Sequence, residues 1–272
     1  MEIQGRVFVV TGGGNGIGRE VVLGLLAVGG RVAAVDLRPD ALDETARLAA
    51  AGDRLSLHAV DVSDADAVGA LPEAVVAAHG QVDGVVNVAG IIQRFARVVE
   101  LSTAEIAKVM GVNFWGVVNM STAFLPHLLA RPAASLVNVS SMGALAPVPG
   151  QSAYGASKAA VKLFTEGLYA ESRGTSLAVT VVFPGGVATG IAENSGAAIP
   201  GMDEKAAEQA GKLTTPAAAA AQIVDAVRTG PYRVVIGSDA RALDRLSRLA
   251  PRRATELIAG KMADLLEPAR TR

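Results

Sequence analysis

Tyr154 and Lys158 stand four residues apart in Tyr154-Gly155-Ala156-Ser157-Lys158, a spacing that stacks both side chains on one face of a helix. A free tyrosine ionises near pH 10, and an ammonium group held beside it favours the phenolate. Such a phenol can give or take a proton near neutral pH, a step that carbonyl reduction and alcohol oxidation share. Alone, the pair is an ordinary structural spacing; its company gives it weight. Ser141 lies thirteen residues before Tyr154, in Asn138-Val139-Ser140-Ser141-Met142-Gly143, just after an apolar run. Asn113 falls in mid-helix, in Gly111-Val112-Asn113-Phe114, where asparagine is a poor helix former and needs a reason.

A second cluster suits phosphate. Thr11-Gly12-Gly13-Gly14-Asn15-Gly16-Ile17-Gly18 follows the first apolar run and opens a helical pattern. Glycines let the backbone approach a pyrophosphate, and a helix N-terminus offers free N–H groups with a positive dipole end. A tight strand–helix connection would use glycines too. The spacing G-x-G-x-x-G is absent and T-G-x-x-x-G-x-G stands instead; no Lys-Ser/Thr pair completes a triphosphate loop. Asp36 closes the second apolar run, 18 residues beyond Gly18, where a carboxylate accepts the ribose hydroxyls and repels a 2′-phosphate. A turn cap competes, and Arg38 softens the discrimination. Asp61-Val62 closes the third run beside the adenine position, with a plain N-cap role for Asp61 equally open beside Ser63 and Asp64.

These residues need a frame. Arg6–Val10, Arg31–Val35, Leu55–Val60, Gly84–Val88, Ser135–Val139, Leu177–Phe183 and Arg233–Ile236 read as strands, mostly apolar on both sides. Helical patterns lie between them at Ile17–Val28, Ala65–Ala78, Ala104–Leu129, Tyr154–Glu171 and Ala217–Thr229. This alternation predicts an α/β fold, a doubly wound parallel sheet of seven strands with helices on both faces. Residues 1–240 read as one nucleotide-binding and catalytic domain, interrupted by a substrate-covering insertion at about 186–215 and followed by a helical extension over 241–272.

The 272 residues carry a net charge of −1, so no nucleic-acid partner is expected. No cysteine is present, and His58, His79 and His127 sit in no metal-ligand spacing, so neither thiolate nor zinc chemistry is expected. Met1–Val10 lacks a signal-peptide layout and no apolar run approaches a membrane span, which makes a soluble, cytoplasmic protein the expectation.

Taken together, the motifs resemble the short single-domain branch of the short-chain dehydrogenase/reductase family across nearly the whole chain. Thr11–Gly18 matches that family's own cofactor turn, including Thr11, Gly12, Asn15, Gly16, Ile17 and Gly18. Asn87-Val88-Ala89-Gly90 is similar to its N-N-A-G element, with Val88 replacing the second Asn. The resemblance implies a tetrad: Tyr154 as acid/base, Ser141 orienting the substrate oxygen, Lys158 holding the nicotinamide ribose, and Asn113 binding a water. It also implies cofactor contacts from Asp36, Asp61, Val62, Asn87, Ala89 and Gly90, and from Pro184, Gly185, Val187 and Thr189 in a P-G-x-V-x-T loop facing the carboxamide. Members selecting NADPH tend to carry a basic residue in the glycine turn or in place of the acid after the second strand. Asn15 and Asp36 stand there, so NAD(H) is expected over NADP(H).

Met142, Gly143, Ala144 and Leu145 form an apolar segment between tetrad members and, with Gly186, are expected to line the substrate pocket. Ile91, Ile92 and Phe95 leave the fourth strand on the same side. A medium or bulky apolar secondary alcohol or ketone is the expected substrate; Arg94 and Arg97 read as solvated. A ketoacyl-type reductase and a dinucleotide-sensing protein without turnover are the alternatives. From Arg241 to Arg272, eight basic residues face four acidic ones on leucine-rich helical spacing. This segment reads as helices packed on the body or on another subunit, the alternative being contact with an anionic membrane. The resemblance implies a homotetramer through the two long helices.

Overall fold

The computed structural model describes residues 1–197 and 213–266. Five strands, β1 (Val7–Thr11), β2 (Arg31–Asp36), β3 (Leu55–Ala59), β4 (Gly84–Asn87) and β5 (Ala134–Val139), precede the long helix Ser152–Glu171, and β6 (Leu177–Pro184) and β7 (Arg233–Ile236) follow it. They form one sheet in the order β3-β2-β1-β4-β5-β6-β7. Every pairing is parallel. The order reverses between β1 and β4, which opens a crevice at the carboxyl ends of those strands, the natural ligand position in such sheets.

The apolar runs do not alternate because both faces are covered. In β1, Phe8 and Val10 pack into one layer with Leu25 and Ile223, while Val7 and Val9 face another with Val85, Phe124 and Leu136. The first layer is closed by α1 (Gly16–Ala27), α2 (Pro39–Ala49) and α9 (Pro216–Thr229), the second chiefly by α3 (Ala65–Gly69), α4 (Leu71–His79), α6 (Gly116–Leu129) and α7 (Ser152–Glu171). The remaining helices are α5 (Thr103–Met110), a short α8 (Ile191–Asn194), α10 (Ser238–Leu249) and α11 (Pro251–Leu266).

Strand bounds fall within one residue of those read from sequence, but the helices differ more. The helix expected over Ala65–Ala78 is two, parted at Ala70, with Pro72 in the first turn of α4. Proline lacks the N–H and crowds the preceding turn, so it suits a helix start and breaks an interior. The helix expected over Ala104–Leu129 is interrupted by a π-helical turn, Gly111–Trp115, between α5 and α6. Helix α2 was not expected; it opens on Pro39 and buries only Ala41, Leu42 and Thr45.

At the amino ends of the strands, Asp83 is fully buried just before β4. It accepts from the Val7 amide (2.9 Å), Arg6 Nη1 (3.0 Å), Arg131 Nε (2.9 Å) and Gln81 Nε2 (2.7 Å). At the carboxyl ends, Val187 bridges Thr214 across the stretch read as an insertion, whose residues 198–212 lie outside the described residues. Helix α10 packs on β7 and on the Met142–Ala144 turn, and α11 on α10. Residues 267–272 of the expected extension also lie outside the described residues. Among the described residues, no helix is long and apolar enough to cross a membrane.

Candidate active site

The glycine turn joins β1 to α1. Thr11 Oγ1 accepts from the Val88 (3.0 Å) and Ala89 (3.1 Å) amides, tying the ends of β1 and β4 together. Gly12 has φ +69°, and a Cβ on Gly18 would lie 2.0 Å from the Gly12 carbonyl oxygen, so the turn closes only around hydrogen at that position. Asn15 caps α1, its Oδ1 accepting from the Gly16 amide at 2.5 Å.

A cleft of about 500 Å³ opens in front of this turn, walled by Gly16, Asp36, Asp61, Val62, Gly90 and Thr189. Ile17, Gly18 and Ala89 also face it. Asp36 is aimed by two amides: Oδ2 accepts from Gly14 (3.0 Å) and Oδ1 from Arg38 (3.1 Å). The Arg38 guanidinium, at the N-cap of α2, donates to Asn194 Oδ1 at 3.1 Å, linking that helix start to α8 across the cleft mouth. Asp61 does not cap α3. Its Oδ1 accepts from the Ser63 amide (2.8 Å) and hydroxyl (2.7 Å), while Asp64 accepts from the Asp66 and Ala67 amides. A glycine cradle that side chains would fill, an open helix N-terminus and a carboxylate at the end of β2 fit a dinucleotide.

At the inner end of the cleft, Gly90 brings two candidate catalytic residues together. A Cβ there would stand 3.1 Å from Lys158 Nζ and 3.2 Å from Asn113 Oδ1. Asn113 is carried by the π turn and fully buried. Its Oδ1 accepts from the Ile91 amide (2.8 Å), and its Nδ2 donates to the Ile91 carbonyl (2.9 Å) and to Ser157 Oγ (2.9 Å). These three bonds answer why asparagine sits in mid-helix: the side chain staples the strand-β4 exit to α7.

Ser141, extended just beyond β5, caps the short turn Met142–Ala144 by accepting from the Gly143 amide at 3.1 Å. Tyr154 is the third residue of α7, and its ring and the Ser141 hydroxyl lie together beside Gly143. Burial pushes the Tyr154 phenol up from its ordinary value, and the Ser141 contact pulls partly against it. Lys158 is 3% exposed; burial lowers its ammonium to about 8, and Nζ donates to the Val139 carbonyl at 3.1 Å. Burial is the leading cause for both groups, raising the phenol and lowering the ammonium, which is aimed at a carbonyl.

Asn87 is buried below the cleft, donating from Nδ2 to Asn138 Oδ1 at 2.9 Å; Asn138 in turn donates to Thr165. The Asn87 Nδ2 is thus committed to the sheet, while its buried Oδ1 has no partner among the described residues. After β6, which ends at Pro184, the Gly185 amide donates to the Ile236 carbonyl (2.8 Å) and the Gly186 amide to Asp239 Oδ2 (2.7 Å). Val187 lies at the bridge to Thr214, and Thr189 reaches Gly16, where a Cβ would stand 3.4 Å from Thr189 Cγ2. Gly143 sits beside Ser141 and Tyr154, with Met142 and Ala144 in the same turn and Leu145 as its C-cap. A Cβ on Gly186 would meet Leu213 at 2.7 Å. Arg94, read as solvated, pairs with Glu105 at 2.6 Å.

Two polar residues that brace this site carried no signal in the sequence. Asp239, in the first turn of α10, holds Gly186, and a Cβ on Gly185 would lie 2.2 Å from its Oδ1. Gln93, 3% exposed, bonds to the start of α7. Neither belongs to a motif; only the fold brings them to the site.

The match to the short chain dehydrogenase family covers residues 6–199. The protein named "Putative oxidoreductase SadH" of Mycobacterium tuberculosis is 40% identical over 266 residues, spanning 96% of this chain and 96% of its own. The 2-(R)-hydroxypropyl-CoM dehydrogenase of Xanthobacter autotrophicus is 37% identical over 188 residues, covering 68% of this chain and 75% of its own. A short chain dehydrogenase/reductase from Burkholderia phymatum, solved in complex with NAD, superposes with a TM-score of 0.83 at 29% identity, covering 94% of this chain and 97% of that one. The chain belongs to the short-chain dehydrogenase/reductase family and is an oxidoreductase of that family.

Proposed function

We propose that the protein is an NAD(H)-dependent oxidoreductase that interconverts a secondary alcohol and a ketone, with Tyr154 as general acid and base. The observation that carries this is that Lys158 and Asn113 meet beside Gly90, which lines the glycine-walled cleft, while Ser141 and Tyr154, the latter on the same helix as Lys158, meet beside Gly143. A bound nicotinamide supplies or accepts the hydride. Tyr154 gives its proton to the substrate oxygen on reduction and takes it back on oxidation. Ser141 donates to the same oxygen and orients it. Lys158 holds the nicotinamide ribose, and a cation there favours the phenolate against the burial that opposes it. Asn113 keeps the Lys158 side of the site in place and binds a water that links it to solvent.

Asp36, with both oxygens oriented by amides, favours the two ribose hydroxyls of NAD(H) and disfavours a 2′-phosphate. Asp61 and Val62 flank the adenine, and Pro184, Gly185, Val187 and Thr189 face the carboxamide. The apolar turn Met142, Gly143, Ala144 and Leu145, with Gly186, suits a medium or bulky apolar substrate. The 2-hydroxypropyl group in the name of the Xanthobacter relative is a secondary alcohol, and supports that class. The reading includes a homotetramer in the cytoplasm.

The test is an absorbance screen of secondary alcohols with NAD⁺ and NADP⁺, with a 3-ketoacyl thioester and NADH as a further arm, followed by Tyr154→Phe on the best substrate. Turnover favouring NAD⁺ is expected. Tyr154→Phe should fold, bind NADH and lose about 10²–10⁴-fold in kcat, the usual contribution of a general acid–base. Turnover of Tyr154→Phe within about threefold of the unaltered enzyme, far below that contribution, would remove the tyrosine from the chemistry.

A further inference from the structure

The first turn of a helix leaves amides without intrahelical partners, and a side chain at the N-cap normally takes one or two of them. Helix α7 begins differently. Gln151 occupies the N-cap and makes no capping hydrogen bond of its own. The acceptor comes from the segment that leaves β4: Gln93 Oε1 accepts from the Ala153 amide (2.7 Å) and from the Tyr154 amide (3.1 Å). The other end of the same amide donates to the Gly150 carbonyl at 3.0 Å, and Gln151 Nε2 donates to the Gln93 carbonyl at 3.0 Å. Gln93 and Gln151 are 3% and 8% exposed, so water does not compete freely for these groups.

The clamp belongs to a longer run. Ile91 is bonded through its amide and carbonyl to Asn113, and the Ile92 amide donates to Ser195 Oγ (3.0 Å), just past α8. Three consecutive residues therefore tie the π turn, the cleft-side helix and the catalytic helix to one another. Of these ties, Gln93 reaches the backbone of Tyr154 itself. Tyr154 must keep its hydroxyl beside Ser141, which stands on the far side of a ten-residue loop from α7. A first helical turn frays readily unless its amides are held.

We propose that Gln93 is a positioning residue for catalysis: it caps the catalytic helix from the exit of β4 and sets the register of Tyr154 against Ser141. The proposal rests on the reading of Tyr154 as the proton-transferring group. It adds a residue outside the tetrad whose loss should slow the chemical step and leave cofactor binding intact, because none of its bonds goes to the glycine turn or to Asp36.

Gln93→Met removes the acceptor at similar volume, and Gln93→Glu keeps an acceptor for both amides. Expected for Gln93→Met are unchanged NADH affinity by fluorescence titration, unchanged KM for NAD⁺, and a kcat lower by about tenfold or more, of the order seen when a catalytic group is misplaced. Gln93→Glu should recover part of that loss. A second readout needs neither substrate nor cofactor. The chain holds three tyrosines, so ¹³Cζ-tyrosine NMR can follow Tyr154 directly, assigned by Tyr154→Phe. With its Ser141 contact loosened, the Tyr154 phenol should titrate at higher pH in Gln93→Met, and the alkaline limb of alcohol oxidation should move the same way. Gln93→Asn, one methylene shorter, gives the same test where Gln93→Met does not fold. A folded variant of either kind with unaltered kcat and unaltered Tyr154 titration would overturn the proposal. If Tyr154→Phe itself retained turnover, the general-acid reading would fail instead. If Tyr154→Phe were inactive while Gln93→Met remained fully active, only the positioning role would be lost.

Discussion

Lys158 carries two demands that oppose each other. The proposed proton transfer wants an ammonium beside the phenol, whereas burial at 3% exposure lowers its ionisation to about 8. The sign of the stability effect follows from linkage. An unfolded lysine ionises near 10.4, so between pH 8 and that value the unfolded chain holds a proton the folded chain has released. Stability from this group therefore rises with pH through that window, and below it the penalty is complete, roughly 3 kcal/mol on the pKa scale. Lys158→Met abolishes the penalty and leaves the Val139 carbonyl without its donor. Urea unfolding of both proteins from pH 7 to 10 should show the variant's relative stability falling steadily as pH rises; a flat difference would contradict the burial argument. The residue types of the site were legible in the sequence because Tyr154, Lys158, Ser141 and the glycine turn stand at spacings that local geometry converts into shared faces and turns. Gln93 and Asp239 were not legible. Each acts on a neighbour more than 50 positions away, and nothing local marks a glutamine or aspartate for such a partner.

Elements follow the same division. The strands read well because burial on both faces demands unbroken apolar runs, and such runs are visible one residue at a time. Helix α2 was missed because Asp40, Asp43, Glu44 and Arg47 leave it few apolar positions. The π turn was missed for another reason: apolar spacing shows which side of a helix is buried, not which carbonyl each amide selects, so α5, the turn and α6 read as one. Two of these helical elements keep apolar groups in solvent, Trp115 at 54% exposed on the π turn and Leu163 at 69% on α7. Such groups on the long helices are expected to be covered by further copies of the chain. Light scattering should give about four times the 27.6 kDa chain mass, and Leu163→Glu should lower it; a 27.6 kDa species at micromolar concentration would exclude the tetramer.

For the whole molecule, the position of Asp83 has consequences of its own. Its carboxylate binds the start of β1, Arg6, Gln81 and Arg131 at the amino ends of the strands, away from every candidate site residue. Asp83→Ala would strand a buried amide and release two arginines at once, and should cost roughly 3–5 kcal/mol in urea unfolding, as breaking buried ion pairs does. Asp83→Asn, which keeps an acceptor, should cost less, and kcat/KM of the folded fraction should be unaltered in both. An equal loss of kcat/KM in the folded fraction would show the two ends of the sheet to be coupled. A parallel sheet has two dissimilar rims, and here one fastens the chain while the other carries the candidate active site. Substitutions in the loops around Ser141, Gly186 and Gln93 leave the Asp83 contacts untouched, so one rim is free to vary while the other holds still.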